Sequence, residues 1–495
     1  MTVQIPETYN DLQDKYQSFI SRRDKDRHMN IFWETNPSKF NENNNNGEKF
    51  IELSGGMPHE SFFPIDSMNL NILKEPVSNN TIPVNITKEK PQNLSLSRTL
   101  QYALSEGFQP LIDFIMNFIT KLNNIPLYDK SLWKVIIAGG SCDSLYKFFE
   151  TCTDESSTVM VEELTFVPVI SNIINTGAKV IPLKLNLDNS DEGIDLNYME
   201  SLLKNWYDGP YKNLNRPKFL YTIPTGQNPT GLTQSVEKRQ KIYQLAQKFD
   251  FVILEDDPYG YLKFPKYNHN NPTDNLYQNG ITSQDYIEKV LMKSYISMDT
   301  DGRVVRFETF SKIFAPGMRL SFVIMNKFFY DKFLKFQEIS TRQPSGIGQQ
   351  IVYSTIHSMT HSSNDNDVIE SWLQWIMKLA SNYTERRNIM LQSLYDSESF
   401  KQNLLDFVEP SAGMFIIIKI HFKGNNIIEQ MNNLAKIMDQ NGVRAILGYK
   451  MAVDQKFSIN NLNFFRLTYA YADNTTQIKE AINRIDKSLL QYFAK

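Results

Sequence analysis

The 495-residue sequence predicts an α/β fold: a large domain with an open, mostly parallel sheet flanked by helices, then a smaller α+β domain. Three observations carry that reading. Short β-branched, apolar runs alternate with helix-length segments through the middle of the chain. These runs are apolar throughout, as in strands covered by helices on both faces. After about Gln343 the order changes to a long helical stretch followed by separated strands, which suits α+β packing.

The elements follow in order. The first fifty residues read as an arm, where helical spacing in YNDLQDKYQSFISRR gives way to a low-complexity polar run at 41–49. Residues 76–93 show little apolar patterning and read as a long surface loop. WKVIIAGG (133–140) reads as a strand feeding the helix SCDSLYKFFETC. STVMVEE (157–163) feeds FVPVISNIINTG, and KVIPLKL (179–185) follows. KFLYTIP (218–224) leads through a turn into SVEKRQKIYQLAQKFD. FVILEDD, VVRFETF and RLSFVIM complete the strands, with a polar interruption at 268–284. The expected division is 1–95 as an N-terminal arm or lid with part of the small domain, 96–342 as the large domain, and 343–495 as the small domain.

The formal net charge of −3 offers no general attraction to nucleic acid or an anionic membrane. Two cysteines, Cys142 and Cys152, cannot build a disulfide framework, so a reducing, cytoplasmic setting is expected. The N-terminus lacks the apolar core of a secretory signal, and no run approaches the roughly 20 apolar residues of a membrane span.

Ligands of parallel α/β sheets bind beyond the carboxyl ends of the strands. The first such end carries GGSCDS, two glycines and a helix-opening Ser141, where backbone N–H groups can cradle an anion. The next carries TGQNPTG with Asn228, then DDPYGY with Asp256 and Tyr259. The last carries Thr309, Ser311 and Lys312, followed by Arg319. Each alone is an ordinary turn, cap or surface charge; their joint occurrence at successive strand ends is not.

Lys312 needs a chemical reason. A desolvated lysine beside other cations becomes a nucleophile, and with an aldehyde it forms a Schiff base. If that aldehyde is pyridoxal 5′-phosphate, every other group acquires a task. Ser141, Thr309, Ser311 and bidentate Arg319 suit the phosphate. Asp256 suits the ring nitrogen, Asn228 and Tyr259 the ring hydroxyl, and Phe166 one ring face. The freed Lys312 amine would then move the substrate proton. Arg466, in NFFRLTYAY, is the candidate partner for a substrate α-carboxylate.

GQNPTG, EDDPYGY, ETFSKIFAPGMRLSF and NFFRLTYAY, in that order, resemble the class I aminotransferases of fold type I, which use pyridoxal phosphate. The resemblance is nearest to the fungal aromatic aminotransferases (the second, broad-specificity isoform), relatives of the kynurenine/2-aminoadipate aminotransferases. It implies Lys312 as the Schiff-base lysine and the roles above for Ser141, Asn228, Asp256, Tyr259, Thr309, Ser311, Arg319 and Arg466, with Asn228 assisting at the carboxylate. Cys142 stands where relatives often carry glutamine, so its backbone N–H keeps a role in cofactor binding while its side chain departs. Tyr102 in LQYALSEG matches a tyrosine that reaches the neighbouring subunit's cofactor, which implies a homodimer with shared sites. Gly55 and Gly56 match a segment that closes over substrate, and the arm with Arg22 and Arg23 is expected to act as a lid.

His357 and His361 have helical spacing but no intervening glutamate or third ligand, so no metal is expected. The expected activity is transfer of an amino group from an aromatic amino acid to a 2-oxo acid. A 2-aminoadipate- or kynurenine-type transaminase, or a lyase, is the nearer alternative. A ligand-sensing regulator of the same fold is the remoter one, since it would need a basic winged helix that fifty residues cannot supply.

Overall fold

The computed structural model describes residues 5–29, 53, 56–91, 93–126, 131–188, 193–360 and 365–494. The polar run at 41–49, Gly55 and His361 lie outside them.

The arm opens with helix α1 (Tyr9–Tyr16), started by a reciprocal cap between Thr8 and Asp11. Its apolar face, Leu12 and Tyr16, joins Phe19 and Ile20 in the core of the large domain. The Tyr16 hydroxyl donates to the Asp301 carbonyl and the Lys15 ammonium to the Asp301 carboxylate, each at 2.7 Å. Further on, Arg22 N–H donates to Asp154 at 2.9 Å, and the Arg23 guanidinium donates to the carbonyls of Thr153 and Thr176. Those partners precede strands, at the opposite end of the sheet from the expected site. Arg22 and Arg23 therefore anchor the arm, correcting the expectation that they belong to a lid.

Residues 76–93 are not simply loop. Strand β1 (Ser67–Leu73) pairs antiparallel with β2 (Thr81–Thr87), Ser67 opposite Thr87 and Leu73 opposite Thr81. Ile82, Val84 and Ile86 alternate with Thr, Pro and Asn, so only one face is apolar, and Pro83 obscures the period in the sequence.

The large domain then runs α2 (Gln109–Asn123), β3 (Trp133–Ala138), α3 (Ser141–Cys152), β4 (Thr158–Glu162), α4 (Val167–Ile174) and β5 (Lys179–Leu183). It continues β6 (Phe219–Thr222), α5 (Val236–Phe249), β7 (Val252–Asp256), β8 (Val304–Thr309), β9 (Ser321–Asn326) and α6 (Lys327–Ile339). The seven strands lie in the order β3-β9-β8-β7-β6-β4-β5. β9 alone runs antiparallel to its neighbours; β8, β7, β6, β4 and β5 pair in parallel. One face packs on α1, α3, α4 and α6. The other packs on α2, α5, α7 (Gly346–Ser358) and the first half of α8 (Asp365–Asp396).

The change of domain comes later than residue 343. Val352 and Ile356 of α7, and Trp372 and Ile376 of α8, belong to the large-domain core. Met390, Leu391 and Leu394, further along α8, belong to the small one. That domain holds β10 (Leu405–Phe407), β11 (Phe415–Ile420), α9 (Ile427–Gln440), β12 (Ile446–Leu447), β13 (Phe464–Thr468) and α10 (Thr475–Phe493). Its strands form an antiparallel sheet in the order β10-β11-β13-β12. No helix among the described residues is long and apolar enough to cross a membrane.

Because the arm fills core space, Leu12→Ala is expected to lower the unfolding free energy by about 2–5 kcal/mol, read by chemical denaturation. A change within about 0.5 kcal/mol would show that the arm only rests on the surface.

Candidate active site

The site assembles at the carboxyl ends of β3, β7 and β8 and faces β13 across the cleft. At β3, Gly139 and Gly140 lead into α3. Gly140 has φ +107°, and a Cβ there would lie 2.2 Å from Arg319 Nη2. The guanidinium thus rests against the start of α3, an approach open only to glycine. Arg319 itself is left-handed (φ +50°) and donates to the Pro316 carbonyl at 3.0 Å. The Thr309 and Ser311 hydroxyls sit 2.9 Å apart beside it, Thr309 also within reach of the Leu320 carbonyl. A helix N-terminus, two hydroxyls and a guanidinium make a site for a tetrahedral dianion.

β7 ends in Glu255 and Asp256, and Asp257 follows directly. Glu255 and Asp257 turn to Arg306, whose guanidinium lies 2.9 and 3.0 Å from their carboxylates and 2.7 Å from Glu308. Asp256 turns the other way. Its Oδ2 accepts the Tyr221 hydroxyl at 2.6 Å, while its buried Oδ1 has no hydrogen-bond partner. The residue is 4% exposed, and burial pushes its carboxyl up to about 7 against the Tyr221 hydrogen bond. An orphaned, buried acceptor is what a ring N–H would satisfy.

Lys312 follows β8. Burial, then the charges of Arg319 and Arg466, push its amine below the usual lysine range, opposed by Asp256. Cys142 feels Asp256, Arg319 and Lys312, and burial raises its thiol. Tyr259, in the turn just beyond β7, is buried with its phenol pushed up by burial and then by Asp256. Phe166 caps the start of α4, half-buried after β4.

Arg466 crosses from β13. Its Nη1 donates to Asn228 Oδ1 at 2.7 Å, and its guanidinium lies 4.3 Å above the Phe415 ring, which meets Tyr259 edge-on at 5.9 Å. Backbone contacts fix this alignment. A Cβ on Gly226 (φ +56°) would lie 2.7 Å from Gly413 Cα, and Gly413 N–H donates to the Leu262 carbonyl at 2.9 Å. On the far side Thr165 N–H donates to Met451 O and Val453 N–H to Glu163 O.

The structure therefore brings Ser141, Cys142, Asn228, Asp256, Tyr259, Thr309, Ser311, Lys312, Arg319 and Arg466 around one cleft. Tyr102 and Gly56 lie apart from that set. Tyr102 is 58% exposed, and Gln101 beside it donates to the Pro58 carbonyl at 2.9 Å, joining it to the segment that follows Gly56. His357 packs on Tyr353, rings 3.9 Å apart, with Nδ1 3.0 Å from the Tyr353 carbonyl. Among the described residues no three potential ligands converge on a metal position. Sequence reasoning passed over Tyr221 and Phe415. Tyr221 had a signal, since it pairs with Leu254 and so shares the face of Asp256 one strand over. Phe415 had none.

The family model "Aminotransferase class I and II" matches residues 65–485. "Aromatic amino acid aminotransferase 2" of Saccharomyces cerevisiae is 46% identical, over 99% of this chain and 98% of the yeast protein. An aromatic amino acid aminotransferase of Schizosaccharomyces pombe is 32% identical over 86% of this chain and 88% of its own length. The crystal structure of the aromatic aminotransferase Aro9 from C. albicans superposes with a TM-score of 0.86 at 38% identity, covering 97% of this chain and 98% of that one. The chain belongs to the class I and II aminotransferases, pyridoxal-phosphate enzymes of fold type I, and stands with the fungal aromatic aminotransferases and their kynurenine/aminoadipate relatives.

Proposed function

We propose that this transaminase takes the amino group of aromatic amino acids and passes it to a 2-oxo acid, with pyridoxal 5′-phosphate held by the residues gathered in the cleft. The observation that carries the reading is the pairing of a desolvated amine, Lys312, with a buried carboxylate, Asp256, whose Oδ1 has no partner. The cofactor, when bound, supplies an aldehyde for an amine to attack and a ring that withdraws electrons.

The chain's own residues do the rest. Ser141, Cys142, Thr309, Ser311 and Arg319 hold the phosphate. Asp256, fixed by Tyr221, holds a proton on the ring nitrogen. Asn228 and Tyr259 donate to the ring oxygen, and Phe166 covers one ring face. Arg466, aligned by Asn228 and propped by Phe415, takes the substrate carboxylate in a bidentate grip. Lys312, its pKa lowered, removes the substrate Cα proton as a base and returns it as an acid. Gly56 lies in the segment that would close over substrate. Tyr102 projects outward, suited to the phosphate of a second copy in a homodimer with shared sites. Similarity to proteins named as aromatic aminotransferases, with Phe415 and Tyr259 beside Arg466, supports an aromatic side chain.

The deciding experiment presents the purified protein with a panel of amino acids and follows the cofactor's absorbance through one half-reaction. Phenylalanine, tyrosine and tryptophan are expected to react fastest; faster turnover of 2-aminoadipate or kynurenine would overturn the aromatic assignment. Lys312→Ala is expected to lose both turnover and the visible absorbance of bound cofactor, and a variant keeping both would remove Lys312 from its place. Arg466→Ala is expected to raise KM by about a hundredfold for amino acids but far less for the matching decarboxylated amines, in steady-state assays.

Asp256→Asn makes a pH-dependent case. With its folded pKa raised from 3.8 to about 7, Asp256 prefers to stay protonated in the fold. The ionised form is therefore a cost to stability that is absent at low pH, grows as pH rises from about 4 to 7, and is constant above. Cofactor-free Asp256→Asn is expected to be more stable than the parent by about 2–4 kcal/mol at pH 8, with the gain vanishing near pH 4, while transamination falls by several orders of magnitude. Equal stability across that range in denaturant titrations would contradict the buried carboxylate.

A further inference from the structure

An acid in the first turn of α3 looks misplaced. Asp143 sets a carboxylate beside the N–H groups that would hold a phosphate, and a resident anion there competes with the ligand. Its neighbours resolve the conflict. Asp143 Oδ2 accepts the Gly139 N–H at 2.9 Å and the Lys147 ammonium at 2.7 Å. Lys147, one turn along on the same face, is only 1% exposed. Its other protons go to Gln337 Oε1 at 2.9 Å and Thr341 Oγ1 at 2.8 Å, so all three are used. Gln337 donates in turn to the carbonyls of Ile137 and Ser105, tying the network to the end of β3 and to the loop after Tyr102.

The donors at the turn are thereby sorted. Gly139 N–H goes to Asp143, and Gly140 N–H goes to Ser321 Oγ at 3.1 Å. The first N–H groups of α3 proper, Ser141 and Cys142, have no carbonyl within the helix to bond and are left for a ligand. An ordinary surface pair at this spacing contributes a few tenths of a kcal/mol and fixes nothing. A buried ammonium with three acceptors holds its carboxylate in one place.

We infer that Lys147 is a positioning residue of the phosphate site: by neutralising Asp143 it lets that carboxylate hold the Gly139 turn in shape without repelling the cofactor's phosphate. This rests on the pyridoxal-phosphate reading above. The test strips the cofactor from purified protein and titrates it with pyridoxal 5′-phosphate and, separately, with pyridoxal, which lacks the phosphate. Lys147→Met leaves Asp143 uncompensated and is expected to weaken pyridoxal phosphate by about tenfold or more, with pyridoxal changed by less than about twofold. The double variant Asp143→Asn, Lys147→Met is expected to recover most of that loss. If Lys147→Met weakens both ligands alike, or neither, Lys147 is structural only and the inference fails. If Lys147→Met does not fold, Asp143→Asn decides: it is expected to bind pyridoxal phosphate at least as tightly as the parent, and a lost preference for the phosphorylated ligand overturns the inference. A parent protein that does not prefer pyridoxal phosphate to pyridoxal would sink the cofactor reading itself, before any variant is made.

Discussion

The site depends on holding one carboxylate out of water with half of its hydrogen-bonding capacity unused. Three consecutive acids close β7 and open the turn after it, and the alternation of the extended chain divides them. Glu255 and Asp257 fall on the side of Arg306, which lies 2.9 and 3.0 Å from their carboxylates; Asp256 falls on the side of Tyr221, away from that cation, and, like Asp257, keeps one buried oxygen without a hydrogen-bond partner. Such a group is expensive to bury and persists only where the backbone carrying it has no cheaper arrangement. The parallel register of β7 with β8, Glu255 against Arg306 and Asp256 against Phe307, supplies that constraint. The ion cluster therefore serves the reaction without touching it, by fixing which acid points where.

The cationic half of the site is built differently. Lys312 and Arg319 come from the connection between β8 and β9 and Arg466 from the other domain, and burial first, then the neighbouring guanidiniums, makes the lysine amine available. Close backbone contacts between the domains help hold these cations together. Gly226 and Gly413 approach too closely for any Cβ, and the stretch before β13 adds hydrogen bonds to the end of β4. Arg466 is placed on Asn228 by main-chain geometry, which tolerates little variation.

Much of this was legible in the sequence, for a definite reason. Doubly buried strands must be apolar along their whole length, so the polar residues just beyond them stand out, and Ser141, Asn228, Asp256, Tyr259, Lys312 and Arg319 were found that way. Arg466, on a strand of the other domain, was reached differently, as the cation that a substrate carboxylate would require. What the sequence hid were relations between distant segments. The β1–β2 hairpin was obscured by Pro83 in a strand with one polar face. Arg23 was read as part of a lid because its acceptors are the carbonyls of Thr153 and Thr176, which carry no sequence signal. The ring of acceptors about Lys147 draws on α3, α6 and the residue Thr341 beyond it, nearly two hundred positions away.

The 32-residue helix α8 has a consequence of its own. Trp372 and Ile376 are sealed into one apolar interior and Leu391 and Leu394 into the other, along a single uninterrupted rod. Opening either interior would expose part of the helix that also lines the other, which couples the two cores through one rod. A protease cut or a gene split at the apparent seam near residue 343 would strip Val352, Ile356, Trp372 and Ile376 from the large-domain interior they help build.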